Sequence, residues 1–105
     1  MQAAEKTYMD FALLVTNKGG HSSLPVKDNA ILRLAHGLVR LERFEFPIEL
    51  NDVTRAYLER AAQVESPQIA SDMRAAAKQP ADPAALARLT AQPSYNAILR
   101  TTCVA

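Results

Sequence analysis

Lys6-Thr7-Tyr8-Met9-Asp10-Phe11-Ala12-Leu13-Leu14-Val15-Thr16 decides the fold class expected of this chain. Met9, Phe11, Leu13 and Val15 take one parity, and Tyr8, Asp10, Ala12, Leu14 and Thr16 take the other. A period of two with aromatic and β-branched content is the pattern of a half-buried strand. The second parity is only semi-polar, so part of that face is expected to be covered as well. A loop follows over residues 17–26, marked by Gly19-Gly20 and Pro25. Beyond it, Asp28 is a good N-cap for a helix running to about Arg43, with Ile31, Leu34, Ala35, Leu38 and Leu41 on one stripe. Gly37 inside that helix costs about 1 kcal/mol relative to alanine, which suggests a close packing contact. Strand, glycine loop and helix together make half of a split βαβ arrangement, so an α+β fold is predicted.

After Pro47 the texture changes to short alanine-rich helices. Asn51 or Asp52 caps the first, through about Gln63, with Val53, Tyr57 and Ala61 inward. Ser66-Pro67 starts a second, with Ser66 as cap, Pro67 at the first helical position, and Ile69, Met73 and Ala76 as its apolar stripe. Asp82-Pro83 repeats the start signal ahead of Leu86 and Leu89. Residues 98–105 alternate again, Leu99, Thr101 and Cys103 against Arg100, Thr102 and Val104, and read as a second strand. Two strands do not make an independently stable sheet. The chain is therefore expected to be an accessory piece of a larger protein, incapable of being a complete enzyme by itself.

Composition narrows the function classes. Hydrophobic residues form 49% of the 105, which favours a folded unit over a disordered tail. Twelve Lys and Arg against eleven Asp and Glu leave a net charge of +1, too balanced for an electrostatic nucleic-acid binder. Arg33, Arg40 and Arg43 read as the solvated face of the first helix. No apolar run approaches the roughly 20 residues that span a bilayer. Met1-Gln2-Ala3-Ala4-Glu5-Lys6 has no apolar core of a signal peptide. For a fragment, that leaves the compartment open. A single cysteine, Cys103, rules out an internal disulfide.

Few residues are equipped for chemistry. His36 lies beside the apolar stripe of the first helix without a carboxylate at useful spacing, and reads as structural or merely exposed. A zinc site needs three or four convergent ligands, and no His pair at helical spacing or Cys pair supplies them. Cys103 stands at a predicted strand position, where a small buried hydrophobe is its ordinary role. Nucleophilic hydrolysis by Cys103 or Ser22 with His21 is the weakest reading. His21 differs, because it sits in Gly19-Gly20-His21-Ser22-Ser23-Leu24-Pro25 at the exit of an apolar segment. The glycines allow a sharp turn and the short polar residues keep the loop at the surface. An imidazole N–H there can donate to a carbonyl oxygen as it becomes an oxyanion. The alternative is a loop histidine that hydrogen-bonds its own turn. On the residues alone both readings stand.

The run Val15-Thr16-Asn17-Lys18-Gly19-Gly20-His21-Ser22-Ser23-Leu24-Pro25, followed by Asp28-Asn29-Ala30-Ile31, resembles the opening of the dimerisation (lid) domain of the M-twenty zinc metallopeptidases. That family includes glutamate carboxypeptidases, aminoacylases, carnosinases and succinyl-diaminopimelate desuccinylase. Phe46-Pro47-Ile48-Glu49-Leu50-Asn51-Asp52-Val53-Thr54-Arg55 and Asn96-Ala97-Ile98-Leu99-Arg100-Thr101-Thr102-Cys103-Val104-Ala105 are similar to a bacterial branch with a helical insertion in its lid. The resemblance implies a partial ferredoxin-like βαββαβ lid over 1–105, with an insertion at about 47–92 and helices on one face of a small sheet. It implies a zinc-dependent hydrolase of peptide or N-acyl amino acid amide bonds, in which two zinc ions and a carboxylate base activate water. His21 matches the family's strand-exit histidine, which reaches in trans into the partner subunit's active site to stabilise the oxyanion. Ser22 and Ser23 match the same motif and are expected to shape the loop. The family's zinc ligands and general-base Glu lie outside this chain, as does the second half of the lid. The fragment is thus expected to hold no catalytic zinc and to hydrolyse nothing alone. Its expected partners are the catalytic domain of its parent and a second copy of itself, as a homodimer. A protein–protein interaction module without catalytic contribution is the competing expectation, resting on the run of Ala-rich helices.

Overall fold

The computed structural model describes residues 4–105. It is all-helical, and the expected α+β lid is corrected on this point. In chain order the described elements are α1 (Ala30–Arg43), α2 (Asp52–Ala61), α3 (Pro67–Ala77), α4 (Pro83–Thr90) and α5 (Pro93–Leu99). Among the described residues, β-type pairing is confined to one isolated antiparallel bridge, Ile48 with Arg100. Both predicted strands fail for an identifiable reason. Period-two patterning becomes a strand only when a neighbour accepts its backbone groups and covers one face. Residues 7–16 have no such neighbour, and Tyr8, Phe11 and Leu14 stay exposed on both parities. In 98–105 a competing local signal wins. Pro93 stands at the first position of α5, and its fixed φ suits a helix start. The resulting helix carries Tyr95 and Leu99 on one face at i, i+4 spacing and buries Leu99.

The chain divides into two compact units: Phe46–Thr102 with residues 4–6, and Thr7–Glu45 with Cys103–Ala105. The first has a true core. Leu58, Met73, Leu89 and Leu99 are fully buried, set among Ala62, Ala70, Ala76 and Ala77 and flanked by Ile48, Leu50, Ile69 and Tyr95. Small alanine faces let helices approach closely, and the four large side chains fill the space between them.

The starts of α2 and α4 are capped by side chains. Asn51 and Thr54 form a reciprocal capping box, Asn51 Oδ1 accepting from the Thr54 N–H at 2.9 Å and Thr54 Oγ1 from the Asn51 N–H at 2.8 Å. Asp82 Oδ1 accepts from the Ala84 N–H at 3.1 Å. Ser66, the expected cap of α3, makes no side-chain cap bond, and the start rests on Pro67, which needs no N–H partner. The ends of the unit are tied by the Glu49 N–H donating to the Leu99 carbonyl at 3.0 Å and by Arg100 Nη1 donating to the Phe46 carbonyl at 3.1 Å.

Details of the apolar stripes are also corrected. In α2 the inward side chains are Leu58 and, just beyond its end, Ala62, while Val53 and Tyr57 are exposed. The actual face is turned one residue onward, where it meets α3. In α3 a charge is buried with the apolar residues. Asp72 receives Arg88 of α4 through Nη2 at 2.7 Å and Nε at 3.0 Å, and Gln68 from its own helix at 3.4 Å. The hydrogen bonds from Arg88 hold its carboxyl below the usual range against the opposing effect of burial. A buried carboxylate bonded in this way fixes the relative register of α3 and α4.

Tyr95 donates to the Glu65 carboxylate, which together with burial pushes the phenol up to about 12 from its ordinary 10.0. A raised pKa means the folded form holds the proton more tightly. The stabilisation is complete below pH 10.0 and disappears as pH rises through about 12. Over that window wild-type protein should lose more stability than a Tyr95→Phe variant, as read by urea unfolding at successive pH values. Parallel losses in both would show that the phenol is uncoupled from folding.

In the second unit no residue of α1 is buried, and every described residue over 7–45 is exposed or half-buried. Leu34, Leu38 and Leu41 are half-buried, whereas Ile31 and Ala35 of the expected stripe are exposed. Arg40 and Arg43 sit in the last turn, where the helix dipole favours cations. The expected packing contact at Gly37 is absent: a Cβ there would meet nothing within 4 Å. Gly37→Ala should therefore stabilise α1 by about 1 kcal/mol, seen as a gain in far-ultraviolet helical signal. A loss of signal would reveal a contact that alanine disturbs.

Candidate functional site

The loop between residue 16 and α1 is built by side chains that replace missing ladder bonds. Gly19 adopts φ +71°, a conformation that residues with a Cβ rarely accept. Immediately before it, Asn17 Oδ1 accepts from the Gly19 N–H at 3.0 Å, an Asx turn, while its Nδ2 donates to the Asp28 carbonyl at 2.9 Å. One asparagine thus joins the two ends of the loop. At the far end Asn29, not Asp28, caps α1, its Oδ1 accepting from the Leu32 N–H at 3.1 Å. The Asp28 carboxylate is instead taken by Arg33. Both groups are half-exposed, so this pair contributes little to stability.

His21 stands at the apex. Its carbonyl accepts from the Leu24 N–H at 2.9 Å, closing a tight turn over 21–24. The ring is held from the same turn: His21 Nδ1 lies 3.2 Å from the Ser23 nitrogen and 2.6 Å from Ser23 Oγ. The ring thus bonds its own turn through one nitrogen, and among the described residues no bond is made by Nε2. A concave space of about 440 Å³ adjoins it, lined by Asn17, Gly20, His21, Leu24, Asp28 and Ile31 among others. Its rim combines backbone of the glycine loop with the first turn of α1, so polar groups and one imidazole face an open, partly apolar hollow.

The other candidates are not brought to this place. His36 is exposed on α1, and Ser22 makes no hydrogen bond to the ring. Cys103 is a free, exposed thiol, which corrects its expected burial. It lost its cover because 101–105 form no strand. Among the described residues, no three His, Cys, Asp or Glu side chains converge where they could hold a metal ion. No helix is long and apolar enough to cross a membrane among those residues.

Two contributors escaped sequence reasoning, Asn17 as the loop clamp and Ser23 as the ring's anchor. Their signal was present in spacing. An asparagine two residues before a glycine favours an Asx turn, and a serine two residues after a histidine can return a hydroxyl to its ring. The chain matches no family model, no curated protein and no solved structure.

Proposed function

We propose that the chain serves as the non-catalytic lid and dimerisation segment of a zinc-dependent hydrolase of peptide or N-acyl amino acid amide bonds. In this role His21 donates a hydrogen bond, in trans, to the oxyanion formed in the partner subunit. The observation that carries the proposal is how the loop presents His21. Nδ1 is occupied by the turn, Nε2 makes no bond among the described residues, and a hollow of about 440 Å³ lies beside the ring. Zinc and the activated water belong to the catalytic domain of the parent protein. This chain contributes a donor oriented by its own turn and a surface for assembly.

Assembly has its own support. Tyr8, Met9, Phe11, Leu13 and Leu14, with Ile31 and Leu32 of α1, leave a large apolar surface uncovered. Such patches mark interaction sites, and the catalytic domain of the parent and a second copy of the chain are the proposed covers. The test is made on the whole protein that carries this chain. It should bind zinc, sediment as a dimer and cleave amide bonds of peptides or N-acyl amino acids. A zinc-free protein without hydrolase activity would overturn the proposal.

A second reading has one observation in its favour: Phe46–Thr102 has its own core and still exposes Val53, Tyr57 and Val64. As an interaction module, these helices would grip another protein, and deleting them would remove that partner from a crosslinked sample. Unchanged crosslinks after deletion would dismiss it.

A further inference from the structure

We infer that Ser23 is a positioning residue that sets the tautomer of His21. The inference rests on the reading of His21 as a donor to a developing oxyanion, and it supplies what that reading needs. A backbone N–H can only donate, and the Ser23 N–H is directed at His21 Nδ1 across 3.2 Å. Nδ1 is therefore the unprotonated nitrogen of the neutral ring, and the proton resides on Nε2. Ser23 Oγ lies 2.6 Å from that same nitrogen. Because Nδ1 accepts, the hydroxyl donates.

One residue thus aims two donors at one ring nitrogen. In the opposite tautomer the hydroxyl would turn and accept, but the backbone N–H would face a ring N–H, and Nε2 would offer a lone pair outward. A lone pair repels an oxyanion, whereas an N–H stabilises it. Water can donate to or accept from the exposed ring, whereas the backbone N–H of the turn can only donate to it. Ser22, one residue nearer in sequence, makes no bond to the ring.

The test reads the ring directly, without substrate or metal. The full chain is labelled with nitrogen-15 at histidine, and long-range proton–nitrogen NMR is recorded at a pH where imidazole is neutral. His36→Gln assigns the two rings. Wild-type His21 should be protonated at Nε2, with Nδ1 displaced by hydrogen bonding. In Ser23→Pro, which lacks the backbone N–H aimed at Nδ1, the ratio of the Nε2–H to the Nδ1–H form should fall about 2- to 10-fold, the range that one net hydrogen bond supplies. Ser23→Ala, which keeps that N–H, should leave the Nε2–H form dominant. An unchanged ratio in Ser23→Pro overturns the positioning role whatever the turnover of the whole hydrolase. A shifted ratio beside wild-type turnover in His21→Ala leaves the positioning role standing and removes the oxyanion reading instead.

Discussion

Met73→Ala is expected to cost the Phe46–Thr102 unit about 2–5 kcal/mol, enough to remove most of its stability. Met73 is 0% exposed and belongs to the cluster of Leu58, Leu89 and Leu99. The cluster's other buried members are alanines, which lack atoms with which to refill the space. Collapse around the deletion is therefore limited, and the cavity contribution adds to the lost transfer free energy. A unit of about 60 residues has roughly 3–9 kcal/mol in total, so a loss of this size leaves a large unfolded fraction. Urea unfolding followed by circular dichroism reads it. Val64→Ala is the control, because Val64 is 87% exposed and its truncation should change stability by less than about 0.5 kcal/mol. Equal midpoints for the two variants would place the core elsewhere.

The second large effect concerns catalysis. Under the proposed oxyanion role, His21→Ala in the whole protein should reduce turnover about 100- to 1000-fold, the usual cost of one oxyanion donor. Zinc content and dimer mass should stay at wild-type values. That separation follows from the structure of the loop. The ring is exposed and its recorded side-chain partner is Ser23, two residues away, so its removal opens no cavity and leaves no buried group bare. Asn17 and Gly19 continue to hold the loop through bonds that do not involve the ring. A donor that acts on the transition state lowers kcat, whereas a residue that merely binds substrate raises KM. Wild-type turnover in this variant would end the oxyanion assignment.

Much of the helical half was legible in advance because its signals are local. Ser66-Pro67, Asp82-Pro83 and the Asn51 cap each act within one turn, and α3, α4 and α2 begin where those residues place them. Gln92-Pro93 is the same kind of signal ahead of α5. It was outweighed by the alternation of 98–105, and the burial of Leu99 shows which influence prevailed. In the candidate site, the glycine turn and the exposed histidine could be read from residue types. The two-residue spacing allowed Ser23 to hold the ring, but the rotamers adopted within the turn decided it.

By itself, then, the amino-acid order determined where α2, α3 and α4 start, which loop must turn sharply, and that His21 sits on that loop. Only the tertiary structure decided that 7–16 remain unpaired, that α2 faces inward through Leu58 rather than Tyr57, and that Asp72 is buried against Arg88. The physical reason is range. A cap, a proline or a glycine acts on backbone groups within four residues. A strand pattern or an apolar stripe acquires its meaning only from the surface it meets.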